Sequence, residues 1–192
     1  MIAAHSAWLT MREVKLMGES GMSISSCPVS NMKLATGGVA PVPEFNRYGV
    51  NVSLGTDGST TNNTLDMIAE MRTLGLLQKS SRWDPTVTPA QELIDIITIN
   101  GAKAVGMQDM IGSLEPGKYA DVVVIDGKSP NMRPLVPQNI IANIAYSMSC
   151  ANVKTVMCQG DLVVENRNIL TLDKDALLAQ SEDAWRSLCI RD

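Results

Sequence analysis

The stretch from Gly49 to Asn63 reads Gly-Val-Asn-Val-Ser-Leu-Gly-Thr-Asp-Gly-Ser-Thr-Thr-Asn-Asn, and it constrains the fold more than any other part of the chain. Val50, Val52 and Leu54 alternate with Asn51 and Ser53, and an alternation at period two bounded by glycines predicts a short strand. The strand runs out on an acid. Gly55 and Gly58 flank Asp57, so backbone can approach that carboxylate on both sides without a Cβ in the way. A helix-like run follows from Thr64, so Asp57 falls at the carboxyl end of a strand in a strand-loop-helix unit, where α/β folds collect their chemistry. A metal ligand or a base would sit there. Asp-Gly is also a common turn dipeptide and Asn-Asn a common cap, so a plain turn accounts for the same residues.

Composition narrows the classes. A chain of 192 residues with 45% hydrophobic and 19% charged residues can bury a real core. The net charge is −4 and basic residues do not cluster or interleave with aromatics, which argues against a nucleic-acid partner. No apolar run approaches the roughly 20 residues of a membrane span, and the first residues lack the pattern of a secretion signal, so the chain reads as cytoplasmic with no membrane partner. Cys27, Cys150, Cys158 and Cys189 form no Cys-x-x-Cys pair. They read as small buried hydrophobes rather than as a zinc knot or a disulfide framework.

From its start the chain predicts alternating strands and helices. Met1 to Ala4 is an apolar run ending at His5, the only histidine. It looks like an interior strand whose upstream half is missing, with His5 at its carboxyl end; such a histidine can be structural or catalytic. Thr10-Met11-Arg12-Glu13 forms a capping box for a helix from Met11 to Ser20, stopped at Gly21. Met22 to Ser26 reads as a second strand, Cys27 to Asn31 as a proline-stiffened loop, Met32 to Gly38 as further loop, and Pro41 to Tyr48 as two helical turns. The Asp57 strand comes third. This order argues for parallel βα units. Met67, Ile68, Met71, Leu74 and Leu77 form the apolar stripe of a longer helix in which Glu70 and Lys79 would face water, the methionines reading as core filler. Asp84-Pro85 ends it. Thr88-Pro89-Ala90-Gln91 predicts a second capping box with proline at the first helical position, and Asn100-Gly101 separates that helix from a short one over Ala102 to Val105. Beyond Ile111 the composition shifts to turns, a Val122–Ile125 strand, a proline-punctuated loop, a short helix over Ile140 to Tyr146 and a hairpin of Val153 to Cys158 with Leu162 to Glu165. Asp173 caps a last amphipathic helix with Leu177, Leu178, Trp185 and Leu188 on one face.

Several of these words, in order, resemble the carboxyl-terminal half of an amidohydrolase-superfamily enzyme, of the branch holding methylthioadenosine/S-adenosylhomocysteine deaminases and atrazine-chlorohydrolase-like enzymes. They are Ala4-His5 with Trp8-Leu9-Thr10, Cys27-Pro28-Val29-Ser30-Asn31-Met32-Lys33-Leu34, Gly55-Thr56-Asp57-Gly58 with Asn62-Asn63, Asn100-Gly101-Ala102, and Ile111 to Lys118 through Ala120-Asp121. The resemblance implies an α/β fold: a partial (β/α)8 TIM barrel holding the last three strands, six to eight, over residues 1–110. A small β-sandwich-type subdomain over 111–170 and a helix over 171–192 would follow.

By the same resemblance the complete enzyme holds one zinc or iron ion through a His-x-His pair on the first strand, a histidine on the fifth and an aspartate on the eighth. Asp57 matches that aspartate, as metal ligand and catalytic carboxylate, and His5 matches the catalytic histidine of the sixth strand. Ser30, Asn31 and Asn62 are the expected substrate contacts, and the substrate is a small nitrogen heterocycle that loses an amino group or a halogen. The chain departs from the pattern too. With a single histidine it lacks the other imidazole ligands and the glutamate that follows the fifth-strand histidine, so it should hold no tight metal and be inactive alone. Ser26 stands where many relatives have histidine, and Thr60-Thr61 replace a small pair. Two expectations follow: part of a deaminase-like hydrolase working with a complementing amino-terminal half, or a non-catalytic fragment whose open strand edge and apolar helix-packing face drive homo-oligomers. A flavodoxin-like binding domain finds no phosphate-cradling glycine loop to support it.

Overall fold

A computed structural model describes residues 1–189, and the chain resolves into two compact units, Met1–Lys118 with Gly127–Asn152, and Tyr119–Asp126 with the residues from Val153 onward. In the first unit three strands, β1 (Ile2–Ala4), β2 (Ser23–Ser26) and β3 (Asn51–Leu54), lie side by side in chain order and all parallel, with Ala4 opposite Ser25 and Ser26 opposite Leu54. Parallel neighbours require crossovers, which helices α1 (Met11–Glu19), α2 (Pro28–Lys33) and α3 (Val42–Arg47) provide. The observed class is α/β.

The α1 start follows its sequence closely. Thr10 accepts the Glu13 N–H at 3.3 Å while the Glu13 carboxylate takes the Thr10 N–H at 2.7 Å, closing the expected capping box. That box holds the Glu13 carboxyl below its ordinary pKa. Val14 of α1, Ile24 of β2, Phe45 of α3 and Val52 of β3 are buried in one cluster with Met71 and Leu74 of α5 (Met67–Arg82). Burying a side chain the size of Phe45 contributes about 1.5–3 kcal/mol, so this cluster is what holds the parallel strands in register.

Five local expectations are corrected. Cys27–Asn31 is not a loop, because Pro28 sits in the first turn of α2, where its missing N–H costs nothing. A short α4 (Ser59–Asn62) precedes α5, which starts at Met67 under an Asp66 cap rather than at Thr64. Glu70 does not face water but is fully buried, and Lys79 is tied down by the carbonyls of Pro85, Val87 and Thr88. The second capping box does not form: Pro89 is itself the cap of α6 (Ala90–Ile97), and Thr88, at φ 48°, has its hydroxyl buried without a partner among the described residues. Asn100 and Gly101 lie inside α7 (Ile99–Ala104) rather than before it.

The second unit is an antiparallel sheet in the order β4 (Val122–Ile125), β5 (Val153–Cys158), β6 (Asp161–Glu165) and β7 (Asn168–Ile169), the last a strand the pattern did not reveal. The β5–β6 hairpin turns through Gln159 and Gly160, both at positive φ, as a two-residue hairpin of matching twist requires. Asp121 accepts the Gln159 N–H at 2.7 Å. Arg167 pairs with Asp126 at 2.9 Å. α9 (Lys174–Cys189) is capped by Asp173 as expected, and Leu177, Leu178, Trp185 and Leu188 are all exposed on it. The helix α8 (Ile140–Tyr146) belongs to the first unit.

Cys27 is buried, whereas Cys150 and Cys158 are exposed free thiols, which corrects the reading of the cysteines as uniformly buried; the Cys189 side chain lies outside the described residues. Among the described residues no helix is long and apolar enough to cross a membrane.

Candidate active site

The sheet ladder delivers two side chains to one edge. Beyond β1 the His5 N–H donates to the Ser25 carbonyl at 2.8 Å, and beyond β3 the Gly55 N–H donates to the Ser26 carbonyl at 2.8 Å. Pairing thus runs one step past the strands before His5 and Asp57 leave at the same carboxyl end. Gly55 leaves room there, because a Cβ would lie 2.8 Å from Ser25 Oγ and that side chain would have to shift. At Gly58 a Cβ would meet nothing nearer than 4.0 Å. The strain sits on two non-glycine residues of this edge instead, His5 at φ 62° and Asp57 at φ 60°. Left-handed conformations at non-glycine residues cost about 1–3 kcal/mol each and persist where the surroundings hold them.

Asp57 Oδ2 accepts the Ser30 hydroxyl at 2.6 Å and lies 3.9 Å from His5 Nε2. Ser30 is fully buried in α2, so its hydroxyl is a fixed donor. That bond, then the Gly58 N–H, holds the Asp57 carboxyl below its ordinary pKa, and Asp57 is therefore ionised throughout the neutral range. The nearby Cys27 thiol is pushed the other way, by burial and by the Asp57 and Glu70 charges, so it is no thiolate nucleophile. A cavity of about 270 Å³ opens on the pair, lined by His5, Asp57, Asn31, Ala7, Trp8, Leu34 and Thr36. Trp8 Nε1 donates to the Thr36 carbonyl at 2.9 Å, which fixes the indole as one wall. His5 Nδ1 is buried with no hydrogen-bond partner among the described residues.

His5, Asp57 and Asn31 therefore line one cavity. Ser30 reaches it only through Asp57, and Asn62 does not reach it at all. The Asn62 amide donates to the Thr56 carbonyl at 2.7 Å and to Glu70, while its oxygen accepts the Thr64 hydroxyl at 3.0 Å, so an expected substrate contact is an internal brace. Thr36 is a cavity residue that no motif singled out, and Trp8 stood in the Trp8-Leu9-Thr10 word without a role at the site. Glu70 was legible in principle: with Leu74 and Gln78 it repeats at four-residue spacing along the buried face of α5.

Donor chemistry limits what this arrangement can hold. A catalytic zinc keeps three protein ligands and an open position. Asp57 and His5 offer two donors at most, and among the described residues no group of three or more His, Cys, Asp or Glu side chains could hold an ion. These residues do not by themselves make a metal centre; a carboxylate and an imidazole this close can also accept and donate protons.

Residues 1–163 match the amidohydrolase family. The chain belongs to that family. It is 42% identical over 180 residues to the 5-methylthioadenosine/S-adenosylhomocysteine deaminase of Moorella thermoacetica, covering 94% of this chain and 41% of the relative. It is 41% identical over 188 residues to the 5′-deoxyadenosine deaminase of Methanopyrus kandleri, covering 98% and 43%. The crystal structure of an adenosine deaminase from Xanthomonas campestris with bound zinc superposes with a TM-score of 0.92 at 36% identity, over 97% of this chain and 42% of that one. This amidohydrolase chain thus spans about two-fifths of the length of the relatives it matches.

Proposed function

We propose that the chain is the carboxyl-terminal portion of a metal-dependent amidohydrolase that hydrolyses a C–N bond, or a carbon–halogen bond, on a small nitrogen heterocycle. In this reading β1 to β3 are the last three strands of a (β/α)8 barrel and the antiparallel unit belongs to a β-sandwich. The observation that carries it is the meeting of Asp57 and His5, 3.9 Å apart at the carboxyl edge of a parallel sheet, on a cavity with an aromatic wall. Asp57, ionised and oriented by Ser30, takes a proton from the attacking water. The water oxygen bonds to the ring carbon, Asp57 passes the proton it took to the leaving nitrogen as the C–N bond breaks, His5 steadies the tetrahedral centre, and Asn31 contacts the ring. In the complete enzyme a zinc or iron ion would supply Lewis-acid activation of the water; Asp57 is the residue of this chain that would hold it, together with ligands from the rest of that enzyme. The free thiols among the described residues support a reducing, cytoplasmic setting.

The test is a chimera in which this chain replaces the matching segment of the Moorella relative, or a complementing amino-terminal half added in trans with zinc. Ammonia release from an adenosine analogue is the expected result; a folded, zinc-loaded chimera with no turnover on amino- or chloro-heterocycles would overturn the reading. The second reading, a non-catalytic homo-oligomer, rests on the exposed apolar residues of α9. A clean monomer at micromolar concentration by light scattering would count against it.

A further inference from the structure

Glu70 is a carboxylate buried to 1% exposure on a helix face otherwise committed to the core, and the proton chemistry above does not use it. Both of its oxygens are engaged. One accepts the Asn62 side-chain amide, which also donates to the Thr56 carbonyl at 2.7 Å; Thr56 is covalently joined to Asp57. The other accepts the Val29 N–H at 3.4 Å; Val29 is joined to Ser30, whose hydroxyl donates to Asp57 Oδ2 at 2.6 Å. Two arms leave one buried group and converge on the same aspartate, the first on its backbone and the second on its carboxylate.

The chemistry of the brace explains why a glutamate stands there. Both arms present donors, an amide NH₂ and a backbone N–H, so the central group must accept on both sides. A glutamine would turn an NH₂ toward one of them. Burial pushes the Glu70 carboxyl pKa up, and the Val29 and Asn62 bonds oppose that rise. A group this costly to bury is retained where it fixes something. What it fixes is Asp57 at φ 60°, a conformation that relaxes unless held.

We propose that Glu70 is a positioning residue, which through Asn62 on one side and Val29–Ser30 on the other holds Asp57 in its left-handed backbone conformation and aims its carboxylate at His5. The inference rests on the reading of Asp57 as the working carboxylate, and it assigns Asn62 to this brace instead of to substrate.

Isotope-labelled chain tests the brace without any substrate. Glu70→Ala and Asn62→Ala shift and broaden the Asp57, Gly58 and Ser30 amide resonances and move the Asp57 three-bond HN–Hα coupling off its left-handed value. Glu70→Gln can keep only one arm as an acceptor, so one of Ser30 and Asp57 moves less than in Glu70→Ala. Val14→Ala, a core change on α1, lowers the melting temperature and leaves these resonances in place. If Glu70→Ala does not fold, Glu70→Gln and Asn62→Ala decide by the same readout. Unmoved Asp57 and Ser30 resonances in the folded variants, or equal movement in Val14→Ala, would overturn the proposal. In the chimera, Glu70→Gln lowers kcat by about tenfold to a hundredfold with KM within about threefold, as loss of aim and not of binding. Should the parent chimera show no turnover, the deaminase reading falls while the resonances still decide the brace.

Discussion

The two compact units obey different physics. In the first, β2 and β3 carry residues such as Ile24 and Val52 at 0% and 1% exposure, and every fully buried hydrophobic residue described belongs to this unit. In the second, no described residue of β4 to β7 is fully buried, and α9 is exposed along its described length. Left-handed non-glycine residues occur in both units, but His5 and Asp57 sit at the edge of a close-packed core that resists relaxation, whereas Gln159, Asn166 and Arg167 lie in exposed turns of the second unit. The second unit is held by its strand ladder, its hairpin turn and single polar ties such as Arg167–Asp126. Chemistry belongs where the scaffold is stiff.

The sharpest way to break this contrast is by truncation. Phe45→Ala removes a fully buried ring and should cost about 3–5 kcal/mol in urea denaturation, whereas Val156→Ala on half-buried β5 should cost less than about 1.5 kcal/mol. Equal losses would abolish the distinction. Native-state hydrogen exchange comes next: the β2 and β3 amides should exchange only by global opening, and α9 amides far sooner by local opening. A smaller effect concerns pH. Ser30→Ala should bring the Asp57 carboxyl back up toward its ordinary value, read from its carboxyl carbon shift. Since the folded value is depressed, the stabilisation by the Ser30 bond is fully present above the ordinary aspartate pKa. It is lost as pH falls through the lowered value. Smaller in its reach is Thr10→Ala, which removes the α1 cap for about 1 kcal/mol and should leave the cavity pair untouched.

Legibility in the sequence followed the same divide between local and tertiary causes. The Thr10–Glu13 box, the β3 alternation, the α8 span and the β5–β6 hairpin are set by neighbours in the chain, and the pattern predicted each. Placement of Asp57 at a parallel strand end was readable for the same reason. Tertiary packing decided the rest. Glu70 looked solvent-facing because periodicity registers polarity and not partners, and its partners Val29 and Asn62 are distant in sequence. Asn62 looked like a ligand contact because its motif sits beside Asp57, yet the α4 turn points its amide inward. Thr88 matched a capping motif, but Pro89 took the cap position.

Ammonia release by the chimera, with Asp57→Asn set against the parent protein at equal zinc occupancy, tests the central claim most directly. The amide variant should fold and lose about 10²–10⁴-fold in kcat, the weight of a positioned proton acceptor. Turnover by Asp57→Asn within a factor of about three of the parent would contradict it.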